Sequence, residues 1–334
     1  MNKDELRKSG KLKKVIIFDC DNTLWKGVVG EDIIEPNIDI QKDAKFLANR
    51  GVIIGLCSKN NEDDINEVLK NQILTDEYIS IKRINWNNKV LNLQEIAEEL
   101  NIGLDSIVFV DDSPFEINYI LEQLPEILAI YPNELMETVH MWFDLTGSLG
   151  KTREYKEQYL RKKESNLFLN IDDYLKSLNM IIKIRLNDKK NIARISELTQ
   201  KTNQFNLTTR RYDDNEINEF MTNNSVYTLS ISDKFGDNGI TGVCIVRTNV
   251  IDLFLLSCRI LGRGIEYAFI DCIVNDLKNM KYEYVFAEYI STPKNKQVES
   301  FYSKIGFVRE NDSSIYKIKI SDYIPLGAKY FKYE

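Results

Sequence analysis

Between Lys14 and Tyr131, short and almost wholly apolar runs alternate with segments of helical periodicity, and this alternation limits the fold more tightly than any other feature of the chain. "KVIIF", "VIIGLC", "ISIKRI", "SIVFV" and "ILAIY" have the length and composition of strands. Between them lie "IQKDAKFLANR", closed by Gly51, then "EDDINEVLK", "VLNLQEIAEEL" and "EINYILEQL", each with apolar residues at helical spacing. A strand that is apolar on both sides has to be covered on both faces, and a helix between consecutive strands is the crossover that parallel pairing requires. The pattern predicts an α/β domain: a parallel sheet between helical layers, with its ligand site at the carboxyl ends of the strands.

The order changes in the second half. The polar segment "TGSLGKTREYKEQYLRKKESN" has its charges at helical spacing and reads as a solvated helix after a glycine-containing break. The boundary is therefore expected near residue 148, giving a domain over 1–148 and another over 149–334, with 149–178 a helical linker region; 334 residues suit two cores of about 150 residues each. After "IDDYLKSL", "MIIKIRL" and a helix over "NIARISELTQKTNQF", the runs "VYTLSIS", "ITGVCIV" and "VIDLFLLS" are joined by short hairpin-like connections and predict antiparallel pairing. "RILGRGIEYAFIDCIVNDL" reads as a loop entering a helix, followed by the strand "YVFAEYI", the helix "NKQVESFYSKI" and a last strand "IYKIKI". The tail "IPLGAKYFKYE" is aromatic and basic and carries no assignment.

Composition removes several classes of function. A formal net charge of -7, from 44 Lys and Arg against 51 Asp and Glu, disfavours a nucleic-acid binder, which needs a basic surface. The opening "MNKDELRKSGKLKK" lacks the apolar core of a secretory signal and no later run has membrane-spanning length, so no membrane association and a cytoplasmic location are expected. Five cysteines, at 20, 57, 244, 258 and 272, show no paired spacing, so free thiols are expected rather than disulfides or zinc. His140, the one histidine, lies in "VHMWF" and reads as structural.

Asp19 and Asp21 in "FDCDNTLWKG" sit where the first strand ends, on one side of an extended chain, with Cys20 pointing the other way. Close carboxylates repel unless a cation lies between them or one holds a proton. With Mg²⁺ bound, Asp19 can attack phosphorus while Asp21 protonates a leaving oxygen and later deprotonates water. "SIVFVDD" supplies Asp111 and Asp112 at another strand end, enough acid to complete an oxygen-ligand Mg²⁺ site. Ser58 in "GLCSKN" can hold a phosphate oxygen, and Lys89 in "INWNNK" can neutralise the phosphoryl group. A single such residue is usually a helix cap or a solvated charge, but four pieces at successive strand ends point to phosphoryl transfer on a phosphorylated small molecule.

In the second half, "SCRILGRGIE" runs from a strand into a helix. Gly262 and Gly264 allow close approach of the backbone, Arg259 and Arg263 add charge, and amides at a helix start favour phosphate or pyrophosphate. Cys258, beside two arginines and a helix start, is the cysteine expected to have raised thiolate character. Cys20 comes second because of its neighbours, while the other three cysteines look like core. Arg210 and Arg211 form a candidate docking patch for an acidic partner, with an ordinary solvated pair as the alternative.

"FDCDNTLW", "CSKN", "INWNNK" and "FVDDSP" together resemble the four motifs of the haloacid-dehalogenase (HAD) phosphatase superfamily, and "DNTLWKGVVGED" with "AEELNIGLDSIVFVDDSPFE" resembles its FkbH-like branch. The R-x-x-G-x-G loop resembles the acyl-CoA loop of the GNAT fold, and "LTQKTNQFNLTTRRY", "GDNGITGVCIV" and "TPKNKQVESFYSKIGF" resemble the C-terminal half of FkbH-like proteins. The resemblance implies a HAD-like Rossmannoid sheet without a large cap followed by a GNAT-like α+β acyltransferase domain. It makes Asp19 the nucleophile and Asp21 the acid/base. Ser58, Lys89, Asn22 and Thr23 are the phosphate contacts it implies, with Asp19, Asp21 (through its carbonyl), Asp111 and Asp112 as the metal site. It also implies a glyceryl transferase/phosphatase that takes 1,3-bisphosphoglycerate, removes phosphate and loads the glyceryl unit as a thioester onto the phosphopantetheine of an acyl carrier protein, as in polyketide biosynthesis, with a cysteine carrying the acyl group in between. In that setting Arg259, Gly262, Arg263 and Gly264 form the pantetheine/phosphate loop, and the pantetheine arm runs alongside the strand that feeds it. Lys26, "WNNK" and the missing Arg after Glu116 depart from the family's usual residues. A phosphatase of a sugar or other metabolite phosphate, with a non-catalytic GNAT-like binding domain, is the alternative expectation.

Overall fold

The computed structural model describes residues 12–311, 313–327 and 330–334; most of the N-terminal stretch read for a secretory core lies outside these. Two compact units divide the chain, Met1–Glu164 and Ser165–Glu334. In the first, β1 (Val15–Phe18) is followed by a small hairpin of β2 (Trp25–Lys26) and β3 (Glu35–Pro36), then α1 (Ile38–Asn49), β4 (Ile53–Ser58), α2 (Glu62–Leu69), β5 (Ile81–Ile84) and α3 (Lys89–Leu100). β6 (Ile107–Val110), α4 (Pro114–Gln123), β7 (Leu128–Ile130), α5 (Leu135–Trp142) and α6 (Leu149–Ser165) complete it.

All five expected strands pair in parallel, in the order β5-β4-β1-β6-β7. β1 is central and fully buried, and its residues alternate between two apolar layers: Ile16 and Phe18 face one, Val15 and Ile17 the other. The chain builds outward from β1 to β5 on one side and then crosses to β6, so the end of β1 is the switch point where such sheets open a crevice. Only the β2–β3 hairpin interrupts the path from β1 to α1, in keeping with the absence of a large cap.

The division falls at 164/165 rather than 148 because α6 is not a free linker. Thr152 is fully buried, and its Oγ1 donates to Ala48 O (3.2 Å) and Val52 O (3.4 Å), while Ser80 Oγ donates to Thr152 O (3.0 Å). Tyr155 and Tyr159 pack against the Val15–Ile17 layer. The charges of α6 are at helical spacing, as expected, but one sparse stripe of the helix is packed.

The second unit contains α7 (Ile171–Ser177), β8 (Ile181–Leu186), α8 (Ile192–Lys201), β9 (Phe205–Asn206), α9 (Asp214–Asn223), β10 (Ser225–Asp233), β11 (Gly236–Arg247) and β12 (Val250–Leu256). After α10 (Ile265–Asn279) come β13 (Tyr284–Glu288), the short α11 (Phe301–Lys304), β14 (Val308–Arg309), β15 (Ile315–Lys319) and β16 (Lys332–Tyr333). The sheet order is β14-β15-β13-β12-β11-β10-β8-β16. β10, β11 and β12 are antiparallel as expected. The unassigned tail adds β16 in parallel to β8, and the Asp271 carboxylate holds the chain before it by accepting from Leu326 N (3.3 Å) and Gly327 N (2.9 Å).

β12 and β13 run parallel but meet at only two positions, Val250 with Phe286 and Ile251 with Ala287, before they part. This mixed sheet with a split parallel pair is the GNAT-like α+β arrangement expected of the second half. The helix expected to reach Phe205 stops at Lys201. Arg211 Nη1 donates to the carbonyls of Thr199 and Thr202 at its end, and the next residues become β9, paired with Leu255 and Leu256 of β12. Among the described residues no helix is long and apolar enough to cross a membrane.

Candidate active site

The register of β1 fixes Asp19, whose N donates to Val110 O at 2.9 Å as the chain leaves the sheet. Asn88 caps α3 by accepting from Val90 N at 2.8 Å, which makes Lys89 the first helical residue and brings its side chain inward. Lys89 Nζ donates to Asp19 Oδ1 at 2.8 Å and to Asp111 Oδ2 at 2.7 Å, with all three side chains buried. Asp111 is steadied by Ser113 N, which donates to its Oδ1 at 2.8 Å, and Ser113 caps α4 ahead of Pro114.

One ammonium shared by two buried carboxylates leaves an excess of negative charge. Burial pushes the Asp19 carboxyl up to about 7, with Lys89 opposing the shift and Asp111 adding to it. Asp111 is likewise raised, by burial first and against the pull of Lys89. Burial works against the Lys89 ammonium, but the two carboxylates outweigh it and its value is raised. Asp112 adds a further, exposed carboxylate: oxygens of Asp19, Asp111 and Asp112 all lie within 4.8 Å of one another. An all-oxygen donor set with excess negative charge fits a hard divalent cation such as Mg²⁺.

The Asp21 carboxylate lies outside this cluster. Its Oδ1 accepts from Trp25 Nε1 (2.9 Å) and Val29 N (3.2 Å), and its Oδ2 accepts from Asn60 Nδ2 (2.9 Å). Only the main-chain carbonyl that the resemblance assigns remains for a cation. Asn60, a buried residue that sequence reasoning passed over, also donates to Ser58 Oγ at 3.3 Å and so couples two of the expected site residues. The signal was present in "CSKNN", a polar cluster directly after an apolar strand.

The other expected phosphate contacts divide. Ser58 and Lys89 are buried beside the cluster. Thr23 is bound to Asp112, its Oγ1 donating to Asp112 Oδ1 at 3.3 Å and accepting from Asp112 N at 3.1 Å. Asn22 is exposed and left-handed (φ 56°), and its Oδ1 accepts from Gly27 N at 3.1 Å, so its side-chain oxygen is engaged in the turn that spans β2. Cys20 is fully buried in the core, and burial raises its thiol well above the ordinary range, as packing predicts. His140 is exposed in the last turn of α5, not lodged in the core.

In the second unit, Cys258 is an exposed thiol in the turn after β12. It borders a cavity of about 360 Å³ whose walls include Arg194, Glu197, Lys201, Ser257 and Arg259. Cys57 and Cys244 are buried and Cys272 is half-buried, and burial raises all three thiols.

Both arginines of the expected phosphate loop brace the loop itself. Arg263 is buried, its Nη1 pairing with Asp233 Oδ2 (3.2 Å) and its Nη2 donating to Arg259 O (3.0 Å); Arg259 Nη2 donates to Asn238 O (3.0 Å). Gly262 and Gly264 have φ of 78° and 72°, a left-handed backbone that by itself calls for glycine. The expected docking pair is also turned inward. Arg210 binds Asp252 Oδ1 (2.9 Å) and Glu288 Oε2 (2.6 Å), while Arg211 caps α8.

The place expected for a pantetheine arm, alongside β12, is taken by the chain itself. Leu207 N donates to Phe254 O (3.1 Å), Ile290 N donates to Leu207 O (2.8 Å), and Asn295 Nδ2 donates to Asn206 O (2.9 Å). Residues 205–208 thus bridge the split between β12 and the chain leaving β13.

No family profile matches the chain, and no curated protein does. Among solved structures, the chain is similar to the N-terminal part of a Bacteroides fragilis protein, containing a phosphatase domain and complexed with Mg, at 36% identity over 43% of this chain and 44% of that one, with a TM-score of 0.39. The chain thus spans less than half the length of that structure. It is also similar to the ribosomal-protein-S18-alanine N-acetyltransferase of Escherichia coli (11% identity, 42% of this chain and 94% of that one, TM-score 0.33). An N-acetyltransferase of Staphylococcus aureus is 15% identical over 42% of this chain and 99% of its own, with a TM-score of 0.31.

Proposed function

We propose that the first unit is a Mg²⁺-dependent phosphatase in which Asp19 is the nucleophile. The observation that carries this reading is the buried Asp19–Lys89–Asp111 arrangement with Asp112 beside it. Asp19, Asp111 and Asp112 would hold Mg²⁺, which supplies positive charge for the phosphoryl oxygens. Asp19 attacks phosphorus and forms an aspartyl-phosphate. Asp21, held in place by Trp25, Val29 and Asn60, gives a proton to the leaving oxygen and then takes one from the attacking water. Lys89 and Ser58 bind the phosphoryl oxygens. Asp19→Asn is expected to reduce Mg²⁺-dependent phosphate release by roughly a thousandfold or more; near-parent turnover in that variant would sink the assignment.

The finer reading is glyceryl transfer. The substrate is 1,3-bisphosphoglycerate: Cys258 Sγ displaces the 1-phosphate to form a thioester, the 3-phosphate is lost to hydrolysis at Asp19, and the phosphopantetheine thiol of an acyl carrier protein takes the glyceryl unit and frees Cys258. Its support is the exposure of Cys258 at a cavity with basic walls, in contrast to the buried Cys20. Intact mass spectrometry after incubation with the bisphosphate, Mg²⁺ and a panel of carrier proteins tests it: a glyceryl adduct is expected on the parent and not on Cys258→Ala, and no adduct on any carrier counts against it.

One observation favours the second reading, a metabolite phosphatase with a non-catalytic second unit. Residues 205–208 fill the split beside β12, where a pantetheine arm is expected. Phosphate release without any acyl transfer is the result that reading requires.

A further inference from the structure

In the first unit β4 and β6 flank β1, so side chains that meet from the loops after β4 and after β6 meet across the end of β1, where Asp19 lies. One ion pair makes this crossing. Lys59, directly after β4, places its Nζ 2.7 Å from Oε1 of Glu116 in the first turn of α4. The Glu116 side chain is 12% exposed and Lys59 43%, so the lysine is the partner with freedom to move. The surrounding loops are tied together: Trp86 Nε1 donates to Asn61 Oδ1 (3.2 Å) and Asn88 Nδ2 to Tyr119 Oη (2.9 Å), joining the loops after β4 and β5 to each other and to α4.

The lysine end of this pair stands in water, so Lys59 can exchange the Glu116 carboxylate for a ligand anion at modest expense. A substrate with its phosphoryl group at Asp19 would have the rest of its length among the loops at this end of the sheet, where the bridge also lies. We propose that Lys59 is a specificity-determining residue that reads a second anionic group, a phosphate or carboxylate, on a compact phosphorylated substrate, with Glu116 as the place-holder it leaves. This rests on the phosphoryl-transfer reading and narrows its substrate class.

The full chain, with Mg²⁺, is assayed for phosphate release from a bisphosphate of glycerate and from p-nitrophenyl phosphate. In Lys59→Met the ratio of kcat/KM for the bisphosphate over the aryl phosphate, which has no second anionic group, is expected to fall roughly ten- to hundredfold, the worth of one charge-assisted hydrogen bond. In Glu116→Gln, with the competitor removed, the same ratio is expected to rise about two- to fivefold. An unchanged ratio, or an equal fall in both variants as for a mere brace, overturns the inference while leaving the phosphatase reading intact. Failure of the parent protein to hydrolyse either compound overturns this inference, and the same failure across sugar and other metabolite phosphates removes the phosphatase reading as well.

Discussion

The chemistry of the first unit turns on how one lysine is shared. Asp19 lies above its ordinary value of 3.8, at about 7, so the protonated carboxyl is favoured in the folded protein over the unfolded chain. The resulting stability is full below the unfolded value and is lost as pH rises through the folded one. Metal-free protein is therefore expected to melt lower at about pH 8 than at about pH 5, with a shallower slope in Asp19→Asn. Mg²⁺ at a hundredfold excess over its Kd adds about 2.7 kcal/mol, and the rise in Tm it produces is expected to be larger at the higher pH. Equal slopes in the two proteins, by differential scanning fluorimetry with and without chelator, would refute this. Asn60 offers a second test. Asn60→Ala frees one oxygen of Asp21, so a roughly tenfold or greater fall in kcat with a displaced pH profile is expected; loss in KM alone would make Asn60 structural. Asp19 and Asp111 were readable because charge at the end of an apolar run stands out, and Lys89 because it is a cation in the polar stretch that follows a strand. Asn60 and the turn role of Asn22 were not, since amides carry no charge and their partners come from other parts of the chain.

At the scale of elements, the strands of the first unit were readable because all but β5 are apolar on both faces, and helical segments separate them. Gly55, in the middle of β4, has a tertiary cause. A Cβ there would lie 2.6 Å from Ile17 Cδ1 and 2.8 Å from Ile81 Cγ2, on the neighbouring strands. Gly55→Ala is expected to destabilise the protein by about 1–3 kcal/mol, through overpacking that outweighs the lower entropy of the unfolded chain. Chemical denaturation checks it, and an unchanged midpoint would mean that both isoleucines can turn aside. The reading of α8 failed for a similar reason. Nothing in "KTNQF" breaks a helix, and the chain turns there because Arg211 takes up the final carbonyls and β12 offers an open edge to Phe205 and Asn206.

At the scale of the whole chain, the position of the boundary between the units can be tested directly. The stripe of α6 that packs, Leu149, Thr152, Tyr155 and Tyr159, follows helical spacing, but four positions in a 17-residue helix rich in Lys and Glu are too few to mark a buried face in the sequence. Removing α6 leaves the carbonyls of Ala48 and Val52 without Thr152 Oγ1 and exposes the layer under the two tyrosines. A fragment ending at residue 164 is therefore expected to unfold cooperatively and to retain Mg²⁺-dependent phosphate release. A fragment ending at 148 is expected to be less stable by roughly 2–5 kcal/mol, from lost burial and unpaired polar groups. Urea midpoints of the two fragments decide the matter: if they coincide, α6 contributes nothing to the first unit and the boundary belongs near residue 148 after all.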